Sequence, residues 1–293
     1  MSDMMPRPTR PEVSLDPAAF AYLQHLMHRR SGVVLEAGKE YMVETRLAGL
    51  ADREGYASVR DLLDSLRTEE EWGVLHRRVV ESLLIGETSF FRDLYPFEAL
   101  RDQVLPDLIE RRARERTLHL WCASCSTGQE PYSLAILLRE HFPQLSSWNV
   151  RLIASDLSLS VLSRAREGRY SQMEINRGLS ASLLVRHFEK VDGDWRVREP
   201  IRRMVEFREL NLVGAWPSLP AMDVVLLRNV LLYFDVPTRK TVLRNLTRCL
   251  KPDGVLLLGS AETTLTLDAG IEAQPAGKAM LHRLAPARKE VLP

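Results

Sequence analysis

A chain of 293 residues is long enough for about two domains, and it needs no disulfide staples to bury a core. Hydrophobic residues make up 45% and charged residues 27%, with 15 Gly and 16 Pro, which excludes collagen-like and low-complexity chains. Forty basic against thirty-nine acidic residues leave a net charge of +1, which excludes a generally basic nucleic-acid binder. Three cysteines exclude a disulfide scaffold and suit a reducing compartment. No apolar run approaches the roughly 18 residues that span a bilayer, and the opening MSDMMPRPTRPEV lacks the apolar stretch of a secretory signal. The expectation is a cytoplasmic protein with no nucleic-acid partner and no direct insertion into a membrane.

Residues 1–14 are polar and proline-rich and read as a disordered tail. Helical grammar follows. Asp16 is a good N-cap, Pro17 suits the first turn, Phe20, Leu23 and Met27 share a face, and Gly32 can close the helix. A second helix is predicted from about Lys39 to Glu54, with Val43, Leu47 and Leu50 inward. A third starts at Ser58 and carries Val59, Leu62, Leu63 and Leu66. A fourth is predicted over 69–85, with Trp72, Leu75, Val79 and Leu83 at helical spacing. Together these make a small bundle over 15–85.

The grammar changes near residue 117. Thr117–Ala123, Val150–Ser155, Val205–Leu210, Asp223–Leu227, Val255–Gly259 and Ala279–Leu284 read as strands. Pro131–Phe142, Leu159–Glu167 and Pro237–Leu250 read as helices, the last stopped by a Lys251-Pro252-Asp253-Gly254 turn. Strands alternating with helices indicate a doubly wound α/β sheet over 86–293. Leu183–Glu199 breaks the alternation, with Gly193 in VDGDW between two strand-like runs, so a small antiparallel insertion is predicted at about 183–205.

The most informative segment is TLHLWCASCSTGQEPYSLAILL. A buried strand runs into a small-residue loop and then a helix, the place where open α/β sheets bind ligands. Only Gly128 of the dinucleotide fingerprint is present, and there is no GxxxxGK[ST] loop, which disfavours NAD and ATP. Asp156 ends the second strand, where a carboxylate accepts from ribose hydroxyls. The plainer role for it is a cap on the following helix. A nucleoside without a pyrophosphate is the chemical reading, and S-adenosylmethionine fits it. Cys122 and Cys125 form a CxxC, which read alone suggests a redox pair or half a zinc site, but there is no second CxxC or HxxxH, so zinc is not expected.

ETSFFRD (87–93), WCASCSTGQEPYS (121–133), ASDLS (154–158), FRELNL (207–212), LRNVLLYF (227–234) and LGSAET (258–263) follow in order. In these stretches the chain resembles the CheR-type chemotaxis receptor methyltransferases. It departs from that family's pattern at Gly86, Gln129 and Leu227, where Asn, an acidic residue and Cys are usual. The resemblance implies a class I S-adenosylmethionine-dependent methyltransferase sheet (α/β, Rossmann-like) with a small antiparallel β insertion, preceded by an N-terminal α-helical bundle. It also implies methyl transfer from S-adenosylmethionine to receptor glutamates, leaving S-adenosylhomocysteine.

The resemblance further implies that Thr88, Arg92, Glu130, Asp156, Asn211, Leu212, Arg228 and Asn229 line the cofactor site. Glu130 would meet the methionine amino group and Asp156 the ribose. Arg92 and Tyr233 are expected to flank the target carboxylate. Phe90 and Phe91 are read as core. In the second helix Lys39, Arg46 and Arg53 recur every seven residues, on nearly one stripe, although acidic residues slightly outnumber basic ones between 17 and 85. Because the family assigns substrate recognition to this region, Arg46 and Arg53 are the expected contacts for the cytoplasmic helical domain of methyl-accepting chemoreceptors. The insertion resembles the family's β-subdomain, which in some members grips a receptor's C-terminal peptide. Two rival readings are a non-catalytic binding or signalling module and a methyltransferase for another carboxylate.

Overall fold

The computed structural model describes residues 15–68, 72–264 and 270–285. The expected tail over 1–14 and positions 69–71 of the expected fourth helix lie outside the described residues. The chain divides into two compact units, Met1–Leu84 and Ile85–Pro293.

The first unit holds α1 (Pro17–Ser31), α2 (Glu40–Arg53), α3 (Val59–Thr68) and α4 (Val74–Leu83). The Asp16 carboxylate accepts from the Ala19 amide at 2.7 Å, and Gly32, at φ 76°, closes α1 by donating to the His28 carbonyl. Leu23, Met27, Val43, Leu47, Leu62, Leu66 and Val79 are fully buried, one apolar stripe per helix. The fourth helix starts later than its periodicity predicts. Trp72 has a left-handed φ of 57°, which a helix cannot take, and its ring lies 4.5 Å beneath the Arg30 guanidinium.

The second unit opens with α5 (Tyr95–Ala99), a π turn over Leu100–Val104, and α6 (Leu105–Arg111). Then follow β1 (Thr117–Ala123), α7 (Gln129–His141), β2 (Asn149–Asp156), α8 (Leu159–Glu167), β3 (Arg169–Tyr170), α9 (Gln172–Asn176), α10 (Ala181–His187), β4 (Phe188–Val191), β5 (Asp194–Val197), α11 (Glu199–Arg202), β6 (Val205–Glu209), β7 (Met222–Leu227), α12 (Val236–Cys249), β8 (Leu250–Leu258), β9 (Ile271–Ala276) and β10 (Ala279–Leu284). The main sheet has the order β6-β2-β1-β7-β8-β10-β9. Its first five strands are parallel, β10 runs antiparallel to β8, and β9 runs antiparallel to β10. Leu118, Leu120, Val224, Leu226, Val255 and Leu257 are fully or almost fully buried beneath the covering helices, as parallel strands require.

The insertion is larger than its sequence signal. β3, β5 and β4 form the small antiparallel sheet, so it begins at Arg169 rather than Leu183. Leu183–His187, which reads as strand, is helical instead. Ser180 caps α10 by accepting from the Leu183 amide, and Leu183 and Leu184 pack on the core. Asp192 and Gly193, at φ 48° and 88°, make the tight turn of the hairpin. The expected Lys251–Gly254 turn is instead a bulge within β8, where the register jumps from Met222↔Leu250 to Val224↔Val255. Lys251 and Asp253 turn there into a charged cluster. Fully buried Asp223 accepts from Lys251 Nζ at 2.9 Å and from Arg112 Nε at 2.9 Å, and Arg112 also donates to Asp253 at 2.6 Å.

The insertion is fixed to the segment before α5 by aromatic edges. Phe90 meets Tyr170 at 5.0 Å and Phe188 at 5.4 Å between ring centroids. A Cβ on Gly178 would lie 1.9 Å from the Phe90 carbonyl oxygen, and Gly178 is at φ 98°, whereas Gly193 has open space around it. Gly178→Ala is therefore expected to destabilise by more than about 2 kcal/mol, and Gly193→Ala by only about 1 kcal/mol. Thermal melting of both variants checks the order.

Candidate active site

In an open parallel sheet, ligands sit outside the carboxyl ends of the strands where the strand order reverses. Here that point lies between β1 and β7, because the chain steps from β1 outward to β2 and β6, then returns to the other side. The registers Ala123↔Ser155, Cys122↔Leu226 and Leu227↔Leu258 bring the ends of four strands to one edge.

The loop after β1 is strained. Ser124 and Ser126 take left-handed φ values of 61° and 49°, which cost free energy unless the surroundings impose them. Asp156 imposes them. Its Oδ2 accepts from the Ser126 amide at 2.9 Å and the Ser124 hydroxyl at 3.5 Å, and its Oδ1 accepts from the Ser158 amide at 3.0 Å. The α8 cap is Ser158, which accepts from the Val161 amide, so Asp156 is not that cap. Burial pushes the Asp156 carboxyl above its ordinary pKa, against the pull of these amide hydrogen bonds.

The second centre is Arg228, immediately after β7. Its side chain is 1% exposed. Nη1 donates to Glu130 at 2.9 Å, and Nη2 donates to Asp93 and to the Arg92 carbonyl, both at 2.8 Å. Its guanidinium carbon stands 5.7 Å from the centre of the Phe97 ring. Arg228, expected beside the cofactor, thus acts as a buried clamp. It ties the start of α7 to the segment Phe91–Leu94, where Phe91, Asp93 and Leu94 all have positive φ. Burial raises the Glu130 pKa, and Arg228 opposes the rise. Its partners are spread over the sequence, so no local pattern announces the clamp.

Asn229, at φ 60°, follows at the same strand end, and its buried Oδ1 has no partner among the described residues. Glu262, given no role by the sequence reading, accepts from the amides of Asn229 (2.8 Å), Val230 (2.7 Å) and Gly259 (2.7 Å). Half-buried Tyr233 ends the short 3₁₀ turn Leu231–Tyr233. Beyond β6, the Asn211 side chain accepts from the Val213 amide at 3.1 Å. Leu212 is buried, and its carbonyl accepts from the Trp216 indole at 3.1 Å. Trp216 in turn packs edge-on against Trp121.

Thr88 and Arg92 are half-buried on the segment before α5, and Arg92 Nη1 donates to the Glu87 carbonyl at 2.9 Å. The Ser126 hydroxyl donates to the Gly86 carbonyl at 2.7 Å, which joins this segment to the β1 loop. A Cβ on Gly86 would stand 3.1 Å from that hydroxyl. Gln129 is buried with its Oε1 accepting from Thr127, so this departure avoids a second buried carboxylate beside Glu130. Leu227 is fully buried in β7.

Phe90 is fully buried and half-buried Phe91 packs against the core. The free thiols of Cys122 and Cys125 are buried and pushed well above their ordinary pKa by burial, which keeps them protonated and unreactive. No metal-binding group of His, Cys, Asp or Glu occurs among the described residues. Arg46 and Arg53 belong to the first unit. Arg46 Nη1 donates to the Leu83 carbonyl at 3.0 Å, closing the end of α4, while Arg53 is exposed on the last turn of α2.

A mostly parallel seven-stranded sheet with the β10–β9 edge, an acidic residue ending β2 and a small-residue loop after β1 define a class I methyltransferase. The CheR methyltransferase SAM-binding domain matches residues 86–276, and the CheR methyltransferase all-alpha domain matches residues 18–84. The chain belongs to the CheR methyltransferase family. It is similar to chemotaxis protein methyltransferase 1 of Pseudomonas aeruginosa, with 40% identity over 84% of this chain and 90% of that protein. Chemotaxis protein methyltransferase Cher2 of Pseudomonas putida is 37% identical over 83% of this chain and 89% of that protein. The chemotaxis protein methyltransferase of Vibrio parahaemolyticus is 32% identical over 93% of this chain and 98% of that protein. No helix among the described residues is long and apolar enough to cross a membrane.

Removing one member of a buried ion pair leaves the other uncompensated, at about 3–5 kcal/mol. Arg228→Ala is expected to destabilise the second unit by that order. Adding Glu130→Gln to Arg228→Met should recover part of the loss, because no buried carboxylate is then stranded at position 130. A double-mutant cycle by urea denaturation measures the coupling.

Proposed function

We propose that this chain transfers the methyl group of S-adenosylmethionine to glutamate side chains in the cytoplasmic helical domain of chemoreceptors, forming methyl esters for sensory adaptation. The observation that carries the reading is the gathering of Asp156, Glu130 and the Asn229 Oδ1, unpartnered among the described residues, at one strand edge within a CheR-family chain. These acceptors fit the methyl donor. Asp156 would hold the ribose hydroxyls, Glu130 the methionine ammonium, and Asn211, Leu212 and Asn229 the adenine side. When bound, the donor supplies an electrophilic methyl on a sulfonium.

The acceptor is a carboxylate with an ordinary pKa of about 4.3, already ionised at neutral pH, so no residue need act as a general base. What the chain must supply is position and a water-poor surrounding, because opposite charges are consumed as the methyl moves. Arg92 and Tyr233 are proposed to hold the target carboxylate, with Thr88 beside the donor. Arg228 would position Arg92 by holding its carbonyl. Arg46 and Arg53 are proposed contacts for the acidic receptor helix. The edge of the small sheet is proposed to accept a receptor's C-terminal peptide as an added strand.

The test is transfer of isotope-labelled methyl groups to a receptor cytoplasmic fragment, with release of the label as methanol in alkali. Arg92→Ala should lower turnover at least tenfold in a folded protein. Turnover near that of the parent would remove Arg92 from the reaction. The raised Asp156 pKa adds a pH signature, since only the carboxylate accepts from both ribose hydroxyls. Affinity for S-adenosylhomocysteine should fall on acidification, beginning above the ordinary carboxylate range. Asp156→Asn should weaken binding and flatten that dependence, as measured by calorimetry across pH.

A further inference from the structure

We infer that Glu262 is a positioning residue for the methyl-transfer reaction, the anchor that fixes the turn after β7. This inference rests on the proposed function and adds a role for a residue outside the expected site. The Glu262 carboxylate accepts four backbone amides from two separate segments. Oε2 takes the amides of Gly259 at 2.7 Å and Asn229 at 2.8 Å, and Oε1 takes those of Val230 at 2.7 Å and Leu232 at 3.4 Å. Two of these amides, Asn229 and Val230, lie between β7 and the Leu231–Tyr233 helical turn, the third, Leu232, lies within that turn, and the fourth, Gly259, directly follows β8. One side chain therefore closes the gap between the ends of two neighbouring strands.

The turn needs such an anchor. Asn229 is at φ 60°, a left-handed conformation that Asn takes more readily than most residues, and two of the amides Glu262 holds are its own and that of Val230 next to it. Ordinary strand pairing does not brace the turn, because β7 pairs with β8 only as far as Leu227↔Leu258 and the amides of Asn229 and Val230 lie beyond it. Space confirms the fit. A Cβ on Gly259 would lie 2.8 Å from each of the Asn229 amide nitrogen, Asn229 Nδ2 and Glu262 Oε2. Glycine at 259 lets the carboxylate and the turn meet. Two groups proposed to touch the reactants, Asn229 and Tyr233, ride on this turn. Glu262 sets the first directly and the second through the Val230 and Leu232 amides. A carboxylate accepting several amides is a charge-assisted and stiff anchor, and an amide side chain in its place turns a donor toward those donors.

The test compares the parent with Glu262→Gln and Gly259→Ala as full-length proteins. Thermal melting, hydrogen exchange of the peptide carrying residues 229–233, S-adenosylhomocysteine affinity, and kcat and KM for a receptor fragment are measured for each. Glu262→Gln should melt within a few degrees of the parent and lose exchange protection only at 229–232 and Gly259. Its kcat should fall at least tenfold, with KM for the receptor fragment changed less than threefold. Gly259→Ala should reproduce the same pattern by pushing the turn from the other side. A folded Glu262→Gln with exchange and kcat within twofold of the parent would overturn the inference. So would a loss of kcat matched by a global loss of protection, since that marks a merely structural carboxylate. If the parent itself neither binds S-adenosylhomocysteine nor methylates the fragment, the proposed function fails. The anchor is then judged by exchange, and unchanged protection at 229–232 in Glu262→Gln would overturn it.

Discussion

One buried guanidinium holds the site together. Arg228 is almost wholly out of water, and a charge in that position is tolerable only when every neighbour is arranged to compensate it. Its hydrogen bonds to Glu130, Asp93 and the Arg92 carbonyl arrange those neighbours. They fix the start of α7, the strained segment Phe91–Leu94 and the end of β7 in one register. Loosening any of the three strands a charge, so the geometry is strongly specified. Gln129, buried beside Glu130, adds no second carboxylate to this cluster.

Around this clamp the carboxylates divide the work. Asp156 braces the loop after β1, and Glu262 braces the turn after β7, each by collecting backbone amides that no strand can pair. Both sit where the sheet ends and ordinary hydrogen bonding runs out. At the opposite end of the sheet, Asp223 with Arg112 and Lys251 does a structural task with the same chemistry. The contrast follows from position: open parallel sheets bind ligands at the carboxyl edge where the strand order reverses, while the amino edge carries Arg112 from the end of α6 and the β8 bulge. A reaction that joins a carboxylate to a sulfonium-bound methyl suits such a place, since it asks for alignment and exclusion of water rather than for proton transfer.

Much of the architecture was readable from the residues. β1 and α8 have the bounds that Thr117–Ala123 and Leu159–Glu167 suggest, because a buried parallel strand and a Ser-capped, Gly-stopped helix both carry strong local signals. Elsewhere, context overrode pattern. Leu183–His187 reads as strand by its branched and apolar residues, yet the Ser180 cap makes it helical. Trp72 lies at helical spacing, yet its ring stacks under Arg30 outside the helix. The Lys251–Gly254 turn signal is satisfied by a bulge because Lys251 and Asp253 have distant charge partners. At the site, the motif residues Asp156, Glu130 and Asn229 could be named from spacing and resemblance. The clamp and the Glu262 anchor could not, because their partners come from segments 30 to more than 130 residues apart.

The most direct measurement is a calorimetric titration of the full-length protein with S-adenosylhomocysteine, alongside Asp156→Ala. It needs no knowledge of the receptor. The account predicts binding near one equivalent for the parent and loss of binding in a folded Asp156→Ala protein. No binding by the folded parent, or unchanged binding in the variant, would contradict the assignment of the β1–β2–β7 edge as the nucleoside site.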